Sequence, residues 1–179
     1  EKTRNAYRHD DAAMIDMPRQ NMTIRPAFAQ DAPALRQLGL PDLDLHLTLQ
    51  AQGERQIILA LQADATAAVC VMNWQPKYGL YKKFGIPEIQ NLYTAPAFRR
   101  QGFGAALIAY CEDLARQKGL AQIGISVGLH SGFGAAQRLY IRAGYVPDGQ
   151  GITYDRQLIA AGEFRPVDDQ LCLMMVKDP

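Results

Sequence analysis

The segment that decides the fold reads APAFRRQGFGAAL and occupies residues 95–107. Pro96 has no backbone N–H and so ends the strand predicted before it. Beyond the glycines, apolar residues recur at helical spacing as far as Lys118. The pattern therefore predicts a strand, a tight turn with Gly102 and Gly104, and a helix. Free N–H groups and the helix dipole at such a helix start favour an anion, and glycine allows close backbone approach.

Three kinds of phosphate-binding site share this strand–turn–helix form. A dinucleotide-binding site needs a third glycine where the chain has Leu107, and an acidic residue near the end of the next strand, which instead reads IGISV at residues 123–127. A nucleotide P-loop needs Gly-Lys followed by Ser or Thr, which the sequence lacks. The third pattern is Arg/Gln-x-x-Gly-x-Gly/Ala, and Arg99, Gly102 and Gly104 match it at every fixed position. A tight turn that only begins a helix remains the structural alternative.

The third pattern is the pyrophosphate-binding motif of the GNAT N-acetyltransferase superfamily, which the chain resembles at a second place as well. Residues 135–146 read AAQRLYIRAGYV, similar to the superfamily pattern Ala-x-x-Leu-Tyr-x-x-x-Gly-Phe, with Tyr145 in place of Phe. One helix and one strand separate the two motifs, as that fold requires. The segments IPEIQ at residues 86–90 and GLHSG at residues 128–132 also resemble a bacterial GNAT subgroup, without indicating its acceptor.

The resemblance implies a single α/β domain. Its central sheet would be mixed and mostly antiparallel, splayed at the strand that binds the cofactor, and flanked by helices. The pattern places this domain at residues 22–179 and assigns the polar, charged residues 1–21 to an N-terminal tail. We expect Asp31 to be the N-cap of the first helix, and residues 75–85 and 153–168 to be loops. Strands are predicted near residues 22–26, 56–62, 67–74, 87–94 and 123–129, and two more flank the loop at 153–168, the last of them at residues 170–177. Helices are predicted near residues 32–38, 43–52, 104–118 and 134–143.

Composition and cysteine usage exclude several other classes. The formal net charge of +1 gives no electrostatic reason to expect nucleic acid or an anionic membrane as a partner. No apolar run is long enough to span a membrane, and the first residues do not resemble a signal peptide. The three cysteines, Cys70, Cys111 and Cys172, are an odd number and include no C-x-x-C pair. This pattern favours buried core positions for all three, and a protein located in the reducing cytoplasm. His46 and His130 lack a second ligand at helical spacing, so no metal site is predicted.

The resemblance implies acetyl-CoA as the co-substrate. The turn at residues 99–105 would hold its pyrophosphate, with charge-assisted hydrogen bonds from the arginines. The main chain of the preceding strand would pair with the pantetheine amides, and one N–H there would polarise the thioester carbonyl. Many family members carry Asn where this chain has Phe133, and we expect Ser131 or backbone groups to replace that contact. The predicted cofactor-binding residues are Leu92, Tyr93, Thr94, Arg99, Arg100, Gln101, Gly102, Phe103, Gly104, Ala105 and Ser131.

Acetyl transfer to an amine needs a base for the amine and an acid for the leaving thiolate. Free alkyl amines have a pKa near ~10.4, so a base must remove a proton at neutral pH. By resemblance Glu88 is the candidate base, and the alternative is a solvated carboxylate at the strand end. Gln90 shares its face but cannot act as a base. Tyr140 is the candidate acid, since a phenol is a donor at pH 7, and the alternative is an aromatic side chain on a buried helix face. Because the cysteines fit core positions, direct transfer is favoured over an acetyl-cysteine.

The acceptor is the least determined part of the prediction. We expect the primary amine of a small molecule, with a protein or peptide amine and a non-catalytic acyl-CoA-binding module as alternatives. A closed pocket between residues 40–53 and 153–168 would favour a metabolite, and an open trough a peptide. A homodimer is left open. Residues before the cofactor strand are candidates for the rim of the acceptor pocket, namely Trp74, Tyr78, Tyr81, Lys82 and Lys83.

Overall fold

One sheet of eight strands carries five helices in the part of the chain that the structure describes. The structure is a computed structural model and describes residues 22–179, so the predicted tail at residues 1–21 lies outside the described residues. The strands are β1 (Met22–Pro26), β2 (Arg55–Gln62), β3 (Ala65–Asn73), β4 (Glu88–Thr94), β5 (Ile123–Gly128), β6 (Val146–Tyr154), β7 (Gln157–Leu158) and β8 (Leu171–Lys177). The helices are α1 (Ala32–Leu38), α2 (Leu43–Ala51), α3 (Gly79–Phe84), α4 (Phe103–Gln117) and α5 (Gly134–Arg142).

The pairing of the strands shows where the sheet opens. The strands run in the order β1-β2-β3-β4-β5-β8-β6-β7. All described pairs are antiparallel except β4–β5, which is parallel. These two strands pair only through Glu88 with Gly124 and Ile89 with Ile125, and they diverge beyond that point. The sheet is therefore mixed, mostly antiparallel and splayed at β4, which confirms the fold predicted from the sequence.

A β-bulge in β4 is the local cause of the splay. Val69 of β3 stands opposite Tyr93 and Val71 stands opposite Gln90, so one residue of β3 faces two residues of β4. One of those two, Asn91, has a φ of +52°, a conformation that Asn adopts more readily than most residues. Because bulges bend a strand and increase its twist, β4 turns away from β5 after their last paired residues.

Helices cover both faces of the sheet. On the first, which we call the α4 face, Ile58 of β2 belongs to a buried cluster with residues of α4 and α5. On the second, which we call the α3 face, its neighbour Ile57 packs with Leu35 of α1 and Leu43 of α2. The same face carries Tyr81 of α3, whose hydroxyl donates to the carbonyl oxygen of Met175 in β8 at 2.6 Å. Burial on both faces explains why β2 and β3 are continuous apolar runs in the sequence.

The segment at residues 75–85, which we expected to be a loop, contains helix α3. With six residues, the helix is too short for its sequence to display a helical period. Tyr78 and Tyr81 attach it to the sheet: both side chains are buried, and their rings meet edge-on with centroids 4.9 Å apart. Packing of these aromatic rings, rather than local propensity, therefore accounts for the helix.

The expected loop at residues 153–168 is also partly wrong. It begins inside β6 and contains β7. Thr153 pairs with Leu158 and Tyr154 with Gln157, which leaves a two-residue turn between the strands. The turn carries no Gly or Asn, the residues by which such turns are usually recognised in a sequence.

Asp31 stands at the N-cap position of α1, but its carboxylate does not cap that helix. It accepts two hydrogen bonds from the Arg25 guanidinium, at 2.7 and 2.8 Å, and one from the Phe28 N–H at 2.7 Å. Its role is therefore to fix the chain between β1 and α1. The guanidinium beside it holds the pKa of Asp31 below its usual value.

Candidate active site

The glycine turn before α4 leaves backbone N–H groups without intrahelical partners. Arg100 has a φ of +59° and Gly102, at the N-cap position, has a φ of +88°. The helix bond that returns to this N-cap comes from Ala106, whose N–H donates to the Gly102 carbonyl at 2.9 Å. The N–H groups of Phe103, Gly104 and Ala105 precede it, and no side chain caps the helix. The start of α4 therefore presents a group of donors and the positive end of a helix dipole.

The two glycines of the turn serve different purposes. At Gly102 the backbone conformation itself requires glycine, and a Cβ there would have no neighbour within 4 Å. At Gly104 the constraint is packing, because a Cβ would lie 3.2 Å from Cδ2 of Leu139 and 3.8 Å from Oγ1 of Thr94. The second glycine therefore lets α4 begin close to α5 and to the end of β4, while the space beside the first is open to a ligand.

The polar side chains of the turn are exposed and tie it to β4. Arg99 donates from Nε to the carbonyl oxygen of Thr94 at 3.2 Å, and its guanidinium carbon lies 5.9 Å from the centre of the Tyr93 ring. Gln101 donates to the carbonyl oxygen of Ala97 at 2.9 Å. Arg100 is exposed. Two guanidinium groups therefore stand at the mouth of the turn, where they can add charge-assisted hydrogen bonds to a phosphate.

The edge of β4 that faces β5 is open beyond the splay. Tyr93 and Thr94 pair on their other side with β3, and pairing with β5 has ended at Ile89. Leu92 and Thr94 are partly buried and Tyr93 is 38% exposed. This part of the main chain can pair with an extended, amide-bearing ligand in the gap between the two strands.

Tyr140 lies on α5 and is only 5% exposed. Burial, and to a smaller extent the nearby Cys70 and Cys172 thiols, raises its pKa above the usual value for a phenol. The hydroxyl therefore stays protonated at neutral pH and can donate. Its ring and that of Tyr145 are tilted neighbours, with centroids 6.4 Å apart.

Glu88 is completely buried, so the alternative of a solvated carboxylate at the strand end is wrong. Gln90, on the same face as predicted, donates from Nε2 to Oε2 of Glu88 at 2.8 Å. Arg156 donates from Nη2 to Oε1 of Glu88 at 3.0 Å and to Oγ of Ser126 at 3.1 Å. Burial opposes the charge of the guanidinium, but the attraction of Glu88 outweighs it and raises the pKa of Arg156.

Sequence reasoning missed Arg156. It belongs to the turn between β6 and β7 and lies 68 positions from Glu88 in the chain, so no local motif joins them. Asp155 and Arg156 both have positive φ, at +47° and +61°, and a non-glycine pair in this conformation is unusual. The only signal in the sequence was an arginine at a turn position that normally prefers glycine. This signal can be recognised only once the position of the turn is known.

His46 links α2 to the bulge of β4. Its Nδ1 lies 2.7 Å from Nη1 of Arg55, and its Nε2 lies 3.0 Å from the side-chain amide of Asn91. An arginine can only donate, so Nδ1 accepts and the ring is neutral. Burial, reinforced by the Arg55 charge, lowers the pKa of His46. The side chain is 3% exposed, so His46 holds α2 against β4 and does not face solvent.

The remaining residues singled out in the sequence are His130, Ser131 and the three cysteines. Nowhere in residues 22–179 do three His, Cys, Asp or Glu side chains come together as a metal site would require. His130 bonds to Asp169 at 2.7 Å and accepts from the Gly132 N–H at 3.1 Å. Ser131 is exposed in the 3-10 turn before α5, and its contact with the cofactor stays a prediction. The three cysteines are free and buried, as expected.

Comparison with a known family identifies the domain. The model of the acetyltransferase (GNAT) domain matches residues 53–147, which is more than half of the chain. The chain belongs to the GNAT acetyltransferase family. The matched residues include the bulged strand β4, the glycine turn and Tyr140, so the two motifs that carried the resemblance lie inside the GNAT domain. Among curated proteins, none matches the chain significantly.

Solved structures share the GNAT fold at low sequence identity. A GNAT family acetyltransferase from Elizabethkingia anophelis with acetyl-CoA bound is 21% identical, with a TM-score of 0.64 over 89% of this chain and 99% of that one. A Bacillus subtilis acetyltransferase in complex with CoA is 19% identical, with a TM-score of 0.62 over 89% and 99%. A ribosomal-protein-alanine N-acetyltransferase from Brucella melitensis is 16% identical, with a TM-score of 0.65 over 88% and 99%.

None of the described helices is long and apolar enough to cross a membrane.

Proposed function

We propose that this protein is an acetyl-CoA-dependent N-acetyltransferase that transfers the acetyl group directly to a primary amine of a small molecule, with residues 22–179 as the catalytic domain. The observation that carries the proposal is the uncapped start of α4, whose turn matches the family's pyrophosphate motif at Arg99, Gly102 and Gly104. Family membership and the acetyl-CoA and CoA bound to two neighbours of the same fold support this choice of donor.

The donor lies across the splay of the sheet. Its pyrophosphate accepts hydrogen bonds from the N–H groups of Phe103, Gly104 and Ala105 and from the arginines of the turn. The pantetheine arm pairs with the open edge of β4 at residues 92–94, and the thioester reaches the point where β4 and β5 separate. An N–H of this edge then stabilises the oxyanion that forms when the carbonyl is attacked.

Transfer requires two proton movements. The amine nitrogen attacks the thioester carbon, a C–N bond forms, and the C–S bond breaks to release CoA. Glu88, which is paired with Arg156, takes the amine proton through a bridging water. Tyr140 gives its phenolic proton to the leaving thiolate. Burial raises the pKa of Tyr140 above the usual value for a phenol, so the hydroxyl is protonated and able to donate when the sulfur acquires charge.

Direct transfer fits the cysteines better than a covalent acetyl-enzyme. Sγ of Cys70 lies 3.6 Å from Sγ of Cys111, and both thiols are buried. The neighbouring Cys111 thiol and burial raise the pKa of Cys70, and burial raises the pKa of Cys172. Since the thiolate is the nucleophilic form, neither Cys70 nor Cys172 is activated for attack on a thioester, and Cys111 is buried in the core.

The test is CoA release from acetyl-CoA over a panel of amines and peptides, with mass spectrometry of the product. Tyr140→Phe should lower kcat by at least ~100-fold, the usual contribution of a general acid, with little effect on acetyl-CoA binding. Tyr145→Phe is the matched control, because it removes a buried phenol beside Tyr140 to which the proposed reaction gives no step.

Three results would change the proposal. Equal kcat values for the Tyr140→Phe and Tyr145→Phe variants would remove Tyr140 from the mechanism. Acetylation of peptides but of no small amine would favour a protein N-acetyltransferase. Binding of acetyl-CoA without an acetylated product from either class would favour a non-catalytic module.

A further inference from the structure

A cavity of about 410 Å³ lies between α3 and the turn that joins β6 to β7. Its wall includes two cationic side chains, Arg156 and Lys83, and the side-chain amide of Gln150. Tyr78 and Leu158 supply apolar surface. No carboxylate from the described part of the chain lines this cavity, so its charged groups are of one sign.

Arg156 presents unused hydrogen-bond donors to this cavity. Its contacts with Glu88 and with Ser126 are both made by the same terminal nitrogen, Nη2. Within residues 22–179, no partner is found for Nε or Nη1, and 20% of the side chain is exposed. The N–H groups of Nε and Nη1 point in different directions, and each can donate a charge-assisted hydrogen bond to a carboxylate oxygen.

The acidic groups around the cavity already have partners. Asp148 accepts from the Tyr78 hydroxyl at 2.7 Å, and Asp155 pairs with Lys77 at 2.7 Å. Glu88 holds the inner nitrogen of Arg156. What remains to bind a ligand is therefore Nε and Nη1 of Arg156 and the exposed ammonium of Lys83.

The backbone that carries Arg156 indicates that the position of the guanidinium matters. Arg156 occupies the second place of a two-residue β-turn with positive φ, where glycine is normally preferred because a side chain strains this conformation. Strain of this kind is retained where the surrounding structure holds it, and it concentrates at functional sites. At Arg156 the strained turn places the guanidinium between the sheet and the cavity.

Arg156 also joins the cavity to the splay of the sheet. Glu88 is among the last residues of β4 that pair with β5, and Ser126 is the first residue of β5 beyond that pairing. A carboxylate bound to Nη1 of Arg156 is therefore separated from Glu88 by the guanidinium alone. In an α-amino acid the amine is two bonds from the carboxylate carbon, which allows it to lie beside Glu88.

We infer that this cavity is the anion site of the acceptor, and that the acceptor is an amine bearing a carboxylate, bound by Arg156 with help from Lys83. The inference rests on the proposed N-acetyltransferase function and specifies its substrate class. It assigns Arg156 two tasks, since Nη2 positions Glu88 while Nη1 or Nε donates to the substrate carboxylate.

The experiment compares α-amino acids with their carboxamides. CoA release gives kcat/KM for each pair, and calorimetric titration in the presence of CoA gives their affinities without turnover. The wild-type protein should prefer the carboxylate by ~10- to 100-fold, the range for a hydrogen bond to a charged group. Arg156→Lys, which keeps a cation beside Glu88, should lose most of this preference, and Lys83→Met should lose part of it. Acetyl-CoA affinity should not change in either variant.

Lys82→Met is the matched control, since Lys82 is the exposed neighbour of Lys83 but does not line the cavity. If Arg156→Lys does not fold, the comparison of the Lys83 and Lys82 variants decides the matter. Equal kcat/KM for acids and amides, or a preference that survives in both cavity variants, would overturn the inference even if amines are acetylated. Selective amino acid binding without acetylation would support the anion site and overturn the proposed function instead.

Discussion

Removal of the Arg156 guanidinium should destabilise the protein more than any exposed charge deletion. Glu88 is completely buried, and in Arg156→Met its carboxylate would keep only the Gln90 hydrogen bond. Deleting one partner of a buried ion pair typically costs about 3–5 kcal/mol, because the other charge is left unpaired. Arg156 is itself 20% exposed, so water can reach part of the site. We therefore expect about 3 kcal/mol, the lower end of that range.

Urea and thermal unfolding measure this loss. In a chain of this size each kcal/mol lowers Tm by about 2–4 °C, so Arg156→Met should melt about 6–12 °C below the wild type. The double variant Glu88→Gln/Arg156→Met buries no charge and should recover about 2 kcal/mol of the loss. Lys77→Met is the control, since it breaks an ion pair with Asp155 whose side chains are both more than half exposed, and such pairs contribute at most about 1 kcal/mol.

The reasoning would be refuted by a loss in Arg156→Met no larger than in Lys77→Met, with no recovery in the double variant. Glu88 would then not be a buried carboxylate that depends on this guanidinium. Both the assignment of the base and the anion site beside it would need revision.

Two further predictions concern the support of the site. Gly124→Ala would place a Cβ 2.3 Å from Cε2 of the buried Tyr81, and overpacking of this kind should lower the unfolding free energy measured in urea by about 1–3 kcal/mol. Gly79→Ala is the control and should be close to neutral, because a Cβ there would have nothing within 4 Å. Equal stabilities of the two variants would contradict the packing of α3. Burial lowers the pKa of His46 below 6.5, so the folded state binds fewer protons than the unfolded chain, and the unfolding free energy should fall as pH drops below about 6.5. His46→Gln should flatten this dependence between about pH 5 and 6.5. An unchanged slope in the variant would exclude His46 as the source of the dependence.

The parts of the site that could be predicted are those encoded locally. The helix after the glycine turn could be predicted from Leu107, Ile108 and Cys111, which recur at helical spacing and are buried in the structure. The turn could be recognised in the sequence because Gly102 stands where the backbone adopts a conformation that other residues avoid. Family membership followed from two such local motifs, and with it the splayed sheet.

The parts that could not be predicted depend on pairing between distant segments. The contact of Arg156 with Glu88 exists only because β8 and β6 lie beside β5 in the sheet, and no spacing in the chain encodes that order. The bulge at Asn91 depends on the register between β3 and β4. Helix α3 is held by aromatic packing and is too short to show a period. In each case tertiary context determined the outcome, and the local sequence was not enough to predict it.

The central claim is that the turn at residues 99–105 binds the pyrophosphate of acetyl-CoA. Residue-resolved amide hydrogen exchange, with saturating acetyl-CoA or with S-acetylpantetheine, which lacks the pyrophosphate and nucleotide, tests it most directly. The N–H groups of Phe103, Gly104 and Ala105 have no intrahelical acceptor and should exchange fast in the free protein. Acetyl-CoA should slow their exchange by at least about 10-fold, as a hydrogen bond to a charged group would, and S-acetylpantetheine should not. Binding of acetyl-CoA that leaves exchange at these residues unchanged would contradict the account.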